Sequence, residues 1–392
     1  MNPTVDGLVA GEVARPSDVD GVRDLVRAAA DRGAAVIASG LGAHLDIGGP
    51  PRRLDVLLRM DGVDRIIDHQ PADMTITVEA GCSLARLDAT LATSGQWLPL
   101  DPPSFDQTTV GGLVAANLAG PLRASQGTVR DLLLGLRVVD AEGALVSGGG
   151  RVVKNVAGYD LPKLHVGALG TLGVIVEATF KVRPRPEREE AAILAASTYA
   201  DAAAIGLAVR DVLDPLWIEA GTIDGGIGTA IGVGGITAEI AAARRAVESV
   251  ARRHTTLRWI EDGMSFRRRL AESFVGGASS VLRASVLPAE VGATITRLRE
   301  VAGDVPVLAH LANGIIRARF ADPGTVAKTV ATLRPEIASR GGFLVVERAG
   351  PDVKIGLDVW GDPGEGLELM RRVKATFDPQ GMFAPGRYVG GI

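Results

Sequence analysis

The sequence predicts an α+β protein of two domains closed by a C-terminal segment. Three observations lead there. Over residues 188–362, strand-like apolar runs alternate with helical ones, the pattern of an antiparallel sheet with helices on one face. Lys181-Val-Arg-Pro184-Arg-Pro186 carries two prolines that break regular structure and mark a boundary. Before that boundary, short apolar runs repeatedly end in glycine loops. The resulting division is 1–187, 188–362 and 363–392.

Each element has a local reason. Val19, Val22, Leu25, Val26 and Ala29 share one helical face, which gives a helix over 17–32 with Ser17 as N-cap and Gly33 as its stop. A strand over 34–38 runs into the loop Ser39-Gly40-Leu41-Gly42-Ala43-His44. Strands follow at 54–58, 65–68 and 75–79. Ser83 then caps a helix carrying Leu84, Leu87 and Leu91, which Gly95 ends. In the second domain strands are expected at 191–196, 217–220, 281–286, 305–309, 315–320 and 343–347. Helices are expected there at 200–212, 237–253, 289–302 and 323–338. A last helix over 364–377 precedes a turn-rich tail.

Composition excludes several functions. The chain has 392 residues, 46% apolar and 22% charged, with a formal net charge of −4. Nothing in that balance draws it to nucleic acid or to an acidic membrane. The single cysteine, Cys82, excludes a disulfide framework, a cysteine-bound zinc and an iron–sulfur cluster in this chain. The histidines (44, 69, 165, 254 and 310) have no metal-ligand spacing, so no metal is expected. There is no P-loop and no G-x-S-x-G elbow. Gly232-Val-Gly234-Gly-Ile-Thr237 comes nearest a dinucleotide fingerprint but lacks the third glycine, and reads as a strand-to-helix turn. The N-terminus has no signal-peptide pattern, and the longest uncharged stretch, 107–122, is too short and polar to span a bilayer. A cytoplasmic protein without direct membrane insertion is expected, with association to a membrane through partner chains as the open alternative.

Glycine is the one outlier: 50 residues, about 13% against a usual ~7%. The excess is spread evenly, with 24 up to residue 187 and 26 after it. Placement is more informative. Gly40-Leu41-Gly42-Ala43 after a strand is either a tight turn or a nest of amides for an anion. Thr109-Val110-Gly111-Gly112 opens a helical run ending near Asn117, with its first amides expected to face a ligand. Lys154-Asn-Val-Ala-Gly158-Tyr159-Asp160-Leu161 and Gly167-Ala-Leu-Gly170-Thr171-Leu172-Gly173-Val174-Ile175 complete the series.

In this order the motifs resemble the FAD-binding domain of the vanillyl-alcohol-oxidase/p-cresol-methylhydroxylase (PCMH) type, over about residues 1–187. The tail Phe377-Asp-Pro-Gln-Gly-Met-Phe-Ala-Pro-Gly-Arg387 resembles the D-P-x-x-x-x-N-P-G-R end of FAD-linked oxidases, with Ala384 in place of Asn. The string around Lys154 is similar to that of the FAD-binding E subunits of bacterial glycolate oxidases. The resemblance implies a two-subdomain PCMH-type FAD-binding domain plus an antiparallel-sheet α+β cap domain. The C-terminal segment would then return to the FAD domain.

The resemblance also assigns roles. Ser39, Gly40, Leu41, Gly42, Ala43 and His44 would wrap the pyrophosphate of FAD. Thr109, Val110, Gly111 and Gly112 would pack by the flavin through backbone groups. Asn117 and Arg123 would line the isoalloxazine side, unless Asn117 is a helix residue bonded to backbone and Arg123 a solvated loop charge. Gly170, Thr171, Gly173, Val174 and Ile175 would hold the adenine and ribose end. His44 sits one position after the place where some relatives attach flavin covalently. Cys82 reads as a small buried residue.

One departure bears on catalysis. The D subunit of glycolate oxidase and related dehydrogenases carry H-x-G-D-G-N-x-H. Here the nearest segment is His310-Leu-Ala-Asn313-Gly314-Ile-Ile-Arg317, without the Asp and the second His. Oxidising a 2-hydroxy acid needs a base for the hydroxyl and a cation for the carboxylate. His310 with Arg317 or Arg319 offers both, yet two arginines alternating along a strand also describe a solvated face. No catalytic residue is assigned. The resemblance implies a flavin-bearing subunit acting on a small-molecule 2-hydroxy acid such as glycolate, with a D-type flavin subunit and an iron–sulfur subunit as partners. A stand-alone FAD oxidase of a sugar or alcohol, and a non-catalytic flavin-bearing structural subunit, are the alternatives.

Overall fold

The structure, a computed structural model, describes residues 3–150, 160–274 and 280–392. It divides into two compact units. The first comprises Met1–Leu118, Thr128–Arg185 and Asp362–Ile392, and the second Ala119–Gly127 and Pro186–Gly361. The short excursion 119–127 out of the first half of the chain differs from an unbroken 1–187.

In the first unit, three parallel strands lie in the order Glu12–Ala14, Val56–Arg59, Val36–Ser39. The helix Val19–Asp31 buries Val22, Val26 and Ala29 in the core that also holds Val36, Val56 and Leu58. Its N-cap is Asp18, not Ser17: the Asp18 carboxylate accepts from the Gly21 amide at 2.8 Å. A carboxylate reaches that amide and also favours the positive end of the helix dipole. A five-stranded antiparallel sheet runs Leu145–Gly149, Leu133–Val139, Val174–Lys181, Thr75–Glu79, Ile66–Gln70. The helix Leu84–Ala92, capped by Ser83 as expected, seals one of its faces with Leu84, Leu87 and Leu91. The last helix, Gly366–Phe377, and the tail behind it belong to this unit.

The second unit is built on eight antiparallel strands. Their order is Leu257–Ile260, Arg188–Ala195, Gly226–Gly235, Trp217–Ile223, Val307–His310, Ile315–Phe320, Ser280–Ser285, Phe343–Arg348. Strand alternation sends Ile218, Ile231, Leu282 and Ile316 to one face, where one core cluster unites them with Val209, Val247, Ile295 and Val330. Those four come from the helices Tyr199–Arg210, Thr237–His254, Val291–Ala302 and Pro323–Ala338. The expected antiparallel sheet with these four helices on one face is therefore observed, while the helix Gly263–Glu272 packs against Trp217 on the other.

The strands Gly226–Gly235 and Leu257–Ile260 and the helix Gly263–Glu272 were not anticipated. The strand Gly226–Gly235 has glycine at five of its ten positions, a composition poor in strand propensity. Its glycines make room for neighbours: a Cβ on Gly232 would lie 1.9 Å from the Trp217 indole nitrogen. The strand-to-helix turn thus sits at Gly235-Ile236, with Gly232 and Gly234 inside the strand. The helix Gly263–Glu272, capped by Asp262, brings Phe266 to 6.2 Å from the Trp217 ring.

Candidate functional site

Two clefts, of about 520 and 440 Å³, lie in the first unit and share a wall made of Ala38, Ser39, Gly40, Thr109, Gly112, Ala115 and Leu169. Three of the four glycine motifs meet there. Ser39, at the end of its strand, and Gly40 border both clefts, and Leu41, Gly42, Ala43 and His44 continue along the first. Thr109 and Gly112 face both, and Gly111 the second. Gly170, Gly173 and Ile175 close the second.

Glycine is required at the junction. A Cβ on Gly40 would lie 2.1 Å from the Thr109 hydroxyl, so the two loops touch only because Gly40 carries no side chain there. On the open side, nothing lies within 4 Å of where a Cβ would stand on Gly42 or Gly170, and both have positive φ, +87° and +72°. These are backbone walls around free space. No carboxylate is among the described residues lining either cleft, and Arg387 brings a cation to the first. A long dianionic diphosphate with two flat ring systems fits such walls: small residues allow close approach, and no like charge repels it. These residues are the ones that would hold FAD.

The remaining predicted positions fall elsewhere. Val110 and Val174 are buried in the hydrophobic cores and line neither cleft. Thr171 is buried, its hydroxyl donating to Ala168 O at 2.7 Å. Asn117 is the left-handed C-cap of the helix Val110–Ala116 (φ +49°), exposed and bordering neither cleft. Arg123 starts the short helix Arg123–Gln126, which belongs to the second unit, where Ser125 donates to Leu216 O at 2.6 Å. Lys154, Gly158 and Tyr159 lie outside the described residues.

One expectation is corrected. The first amides of the helix Val110–Ala116 do not await a ligand. Val110 N donates to Cys82 O at 2.9 Å, Gly111 N to Ala80 O at 2.7 Å, and Gly112 N to the Thr109 hydroxyl at 3.3 Å. The helix meets the cleft with its glycine surface instead. Thr109 serves as its N-cap.

His44, the candidate for covalent flavin attachment, and Cys82 are both engaged. Thr108 gives its hydroxyl proton to Ser104 O at 2.8 Å, so at 2.7 Å it accepts from His44 Nε2, which fixes the protonated nitrogen of that ring. Cys82 is fully buried, and desolvation pushes its thiol up to about 11, which suppresses the thiolate at neutral pH.

The sequence reading missed the residues that brace the loops. Arg387, the last residue of the tail motif, is buried. It donates to Leu45 O at 2.8 Å and to Ile47 O, and pairs with Asp6 at 3.4 Å. Lys374 donates to Thr171 O at 2.7 Å, Phe383 O at 2.9 Å and the Asp378 carboxylate at 2.6 Å. The tail itself adds beside the first parallel strands: Val36 N donates to Met382 O at 2.8 Å and Ala384 N to Val36 O at 2.9 Å. The Asp-Pro-…-Pro-Gly-Arg string of the tail was a signal for Arg387; nothing local marked Lys374.

In the second unit, His310 and Arg317 are not on a solvated face. Glu219 and His310 are cross-strand partners, with Glu219 Oε1 at 2.5 Å from His310 Nδ1. Arg317 Nη1 lies 2.5 Å from His310 Nε2 and holds Glu347 with two further bonds of 2.7 and 3.1 Å. An arginine can only donate, so Nε2 accepts and the proton sits on Nδ1, pointing at Glu219. Both ring nitrogens are thus occupied. Burial pushes Glu347 up, but Arg317, Arg283 and Arg348 outweigh it and bring the carboxyl down to about 2. Arg319 donates to Ser273 O at 2.8 Å. Among the described residues no cluster of His, Cys, Asp and Glu is suited to a metal ion, and no helix is long and apolar enough to cross a membrane.

Comparisons with known proteins agree with this geometry. Residues 11–149 match the FAD binding domain model, and residues 362–388 the model for the C-terminal domain of FAD linked oxidases. The chain is 46% identical over 122 residues to glycolate oxidase subunit GlcE of Escherichia coli, covering 31% of this chain and 35% of that protein. It is 32% identical over 192 residues to glycolate oxidase subunit GlcD of Bacillus subtilis, covering 49% and 41%. The matches thus span well under half the length of these relatives. In fold, the chain superposes on alkyldihydroxyacetonephosphate synthase with a TM-score of 0.74 at 18% identity, over 96% of this chain and 77% of that one. The chain thus carries an FAD binding domain match in its first half and an FAD linked oxidase match in its tail, and FAD is its cofactor.

Proposed function

We propose that this chain is the FAD-binding subunit of a glycolate-oxidase-like complex that oxidises a 2-hydroxy acid, glycolate or a lactate-like acid, to the 2-oxo acid. Electrons would pass to partner chains, a D-type flavin subunit and an iron–sulfur subunit. The observation that carries the reading is the convergence of three glycine loops on clefts whose described lining holds no carboxylate, in a chain with glycolate oxidase subunits among its relatives. Bound there, FAD supplies the two-electron acceptor such an oxidation needs. The loops at 39–44 and 170–175 hold the cofactor through backbone, and Thr109 and Gly112 set the wall between the two clefts.

Two features support dependence on a partner. A chain with one cysteine has no cysteine-ligated cluster of its own to receive electrons. His310, the nearest match to a base, has both ring nitrogens bonded, one to Glu219 and one to Arg317.

The test is anaerobic addition of glycolate and of lactate to the FAD-loaded chain, alone and co-purified with its partners. Flavin bleaching only in the complex is the expected result. Bleaching of the isolated chain points to a stand-alone enzyme. No bleaching in either rejects the 2-hydroxy acid.

A further inference from the structure

The glycine loops that line the clefts have little stiffness of their own. Gly170 and Gly173, with φ of +72° and +151°, flank Thr171 and Leu172; Gly42 and Gly48, at +87° and +86°, flank the stretch from Ala43 to Ile47. Glycine gives such turns their shape at the cost of the largest conformational entropy loss on ordering. A ligand that meets a floppy loop must supply that ordering itself, and binds more weakly for it.

Two cations supply the ordering from outside. The Lys374 ammonium has three donors, and all three are used: on the Thr171 carbonyl, the Phe383 carbonyl and the Asp378 carboxylate. The Arg387 guanidinium holds the Leu45 and Ile47 carbonyls with one nitrogen, Nη2. In a trans peptide the carbonyl and the next amide point in opposite directions. Holding Thr171 O, Leu45 O and Ile47 O therefore fixes the planes of the amides that follow, inside otherwise soft loops. Asp378 keeps the device in register, since its two oxygens also accept from Met382 N at 3.0 Å and Phe383 N at 2.8 Å. Burial lowers both cations below their ordinary values, partly offset by Asp378 for the lysine and by Asp6 and Asp46 for the arginine. That desolvation is tolerated because each charge lands on oxygen acceptors.

We propose that Lys374 and Arg387 are positioning residues of the FAD site, two cations on one C-terminal stretch that hold two cofactor loops in ligand-ready form. They act through backbone carbonyls, Arg387 in addition to bordering the first cleft. The inference rests on the two clefts being the FAD site.

The experiment uses the full chain stripped of FAD and titrated with FAD, following the quench of flavin fluorescence. Lys374→Met and Arg387→Met each raise the FAD Kd about tenfold or more, roughly 1.4 kcal/mol. Lys374→Arg, which keeps a cation with several donors, binds more tightly than Lys374→Met. The apo-protein's thermal midpoint is recorded in parallel, and binding is measured well below it. A lowered midpoint with wild-type Kd in both Met variants means that the cations only stabilise the fold, and overturns the proposal. If neither Met variant folds, Asp378→Asn, which loosens Lys374 without removing it, is titrated against the same two outcomes. A wild-type chain that takes up no FAD overturns the cofactor site and the positioning role together. Wild-type uptake with unchanged variants overturns the positioning role alone.

Discussion

The clefts of the first unit and the core of the second spend the same residue in opposite ways. In the first, Gly42 and Gly170 border open space, and Gly40 lets two loops touch. In the second, neighbours fill the space a side chain would take: a Cβ would meet the Trp217 indole at Gly232, a Leu311 methyl at 2.3 Å at Gly206 and the Leu194 carbonyl at 2.6 Å at Gly228. At the clefts glycine leaves room for a ligand, whereas these glycines of the second unit leave room for its own side chains and backbone. Polar groups divide likewise. The cleft walls are mainly backbone and small residues, whereas the second unit carries its polarity in ion pairs such as Glu189 with Arg267 and Glu347 with Arg317. A high glycine count therefore says nothing about binding until the neighbours of each glycine are known.

The largest expected effect is on the side-chain unit. Arg267, 2% exposed, binds Glu189 through two bonds of 2.8 and 3.0 Å. Arg267→Ala strands a buried carboxylate and costs about 3–5 kcal/mol. Chemical denaturation should show that loss in a chain that still binds FAD with wild-type affinity; weakened FAD binding would blur the division between the units.

Acid separates the units by pH window. Burial lowers His165 in the first unit from 6.5 to about 4. The unfolded chain takes up that proton first, so the contribution is intact above pH 6.5 and is lost as pH falls towards 4, on the order of 3 kcal/mol. Glu347 in the second unit is depressed from 4.5 to about 2, so its contribution persists to about pH 4.5 and is lost below it. Acidification should release FAD before the second unit's sheet melts, as read by flavin fluorescence and far-ultraviolet circular dichroism. His165→Phe should flatten the upper window and Glu347→Gln the lower one. Simultaneous loss in the wild type would falsify the ordering.

Gly40→Ala sharpens the comparison from the other side. Its Cβ would force Thr109 and the first loop apart, with an overpacking cost of about 1–3 kcal/mol. That cost should appear in FAD affinity, tenfold or more, with little change in the second unit. Wild-type affinity would show that the two loops need not touch. The smallest effect is Asp18→Ala, which removes a helix cap for about 1 kcal/mol in thermal stability and leaves FAD titration unchanged.

Legibility followed the range of the interactions. The strand Ile315–Phe320 and the helix Pro323–Ala338 match the sequence reading residue for residue, because alternation and the Asp322-Pro323 start are local. The helix Gly263–Glu272 was missed, since its arginine run hid the spacing of Phe266 and Leu270. At the site, the loops at 39–44 and 170–175 were legible as glycines in order. The fate of the Val110–Ala116 amides was not, because their acceptors, Cys82 O and Ala80 O, lie some thirty residues upstream, a separation no local pattern reveals.

By itself, then, the sequence determined the fold class, the strand and helix periods, the cofactor family and the loops that line the clefts. All of these depend on neighbours within a few residues or on an ordered set of motifs. Only the tertiary structure decided which glycines face open space and that His310 is held between Glu219 and Arg317. It also decided that the Arg387 and Lys374 cations brace loops 342 and 203 residues away in the chain. A hydrogen bond or an ion pair is chosen by distance in space, and the chain records only distance along itself.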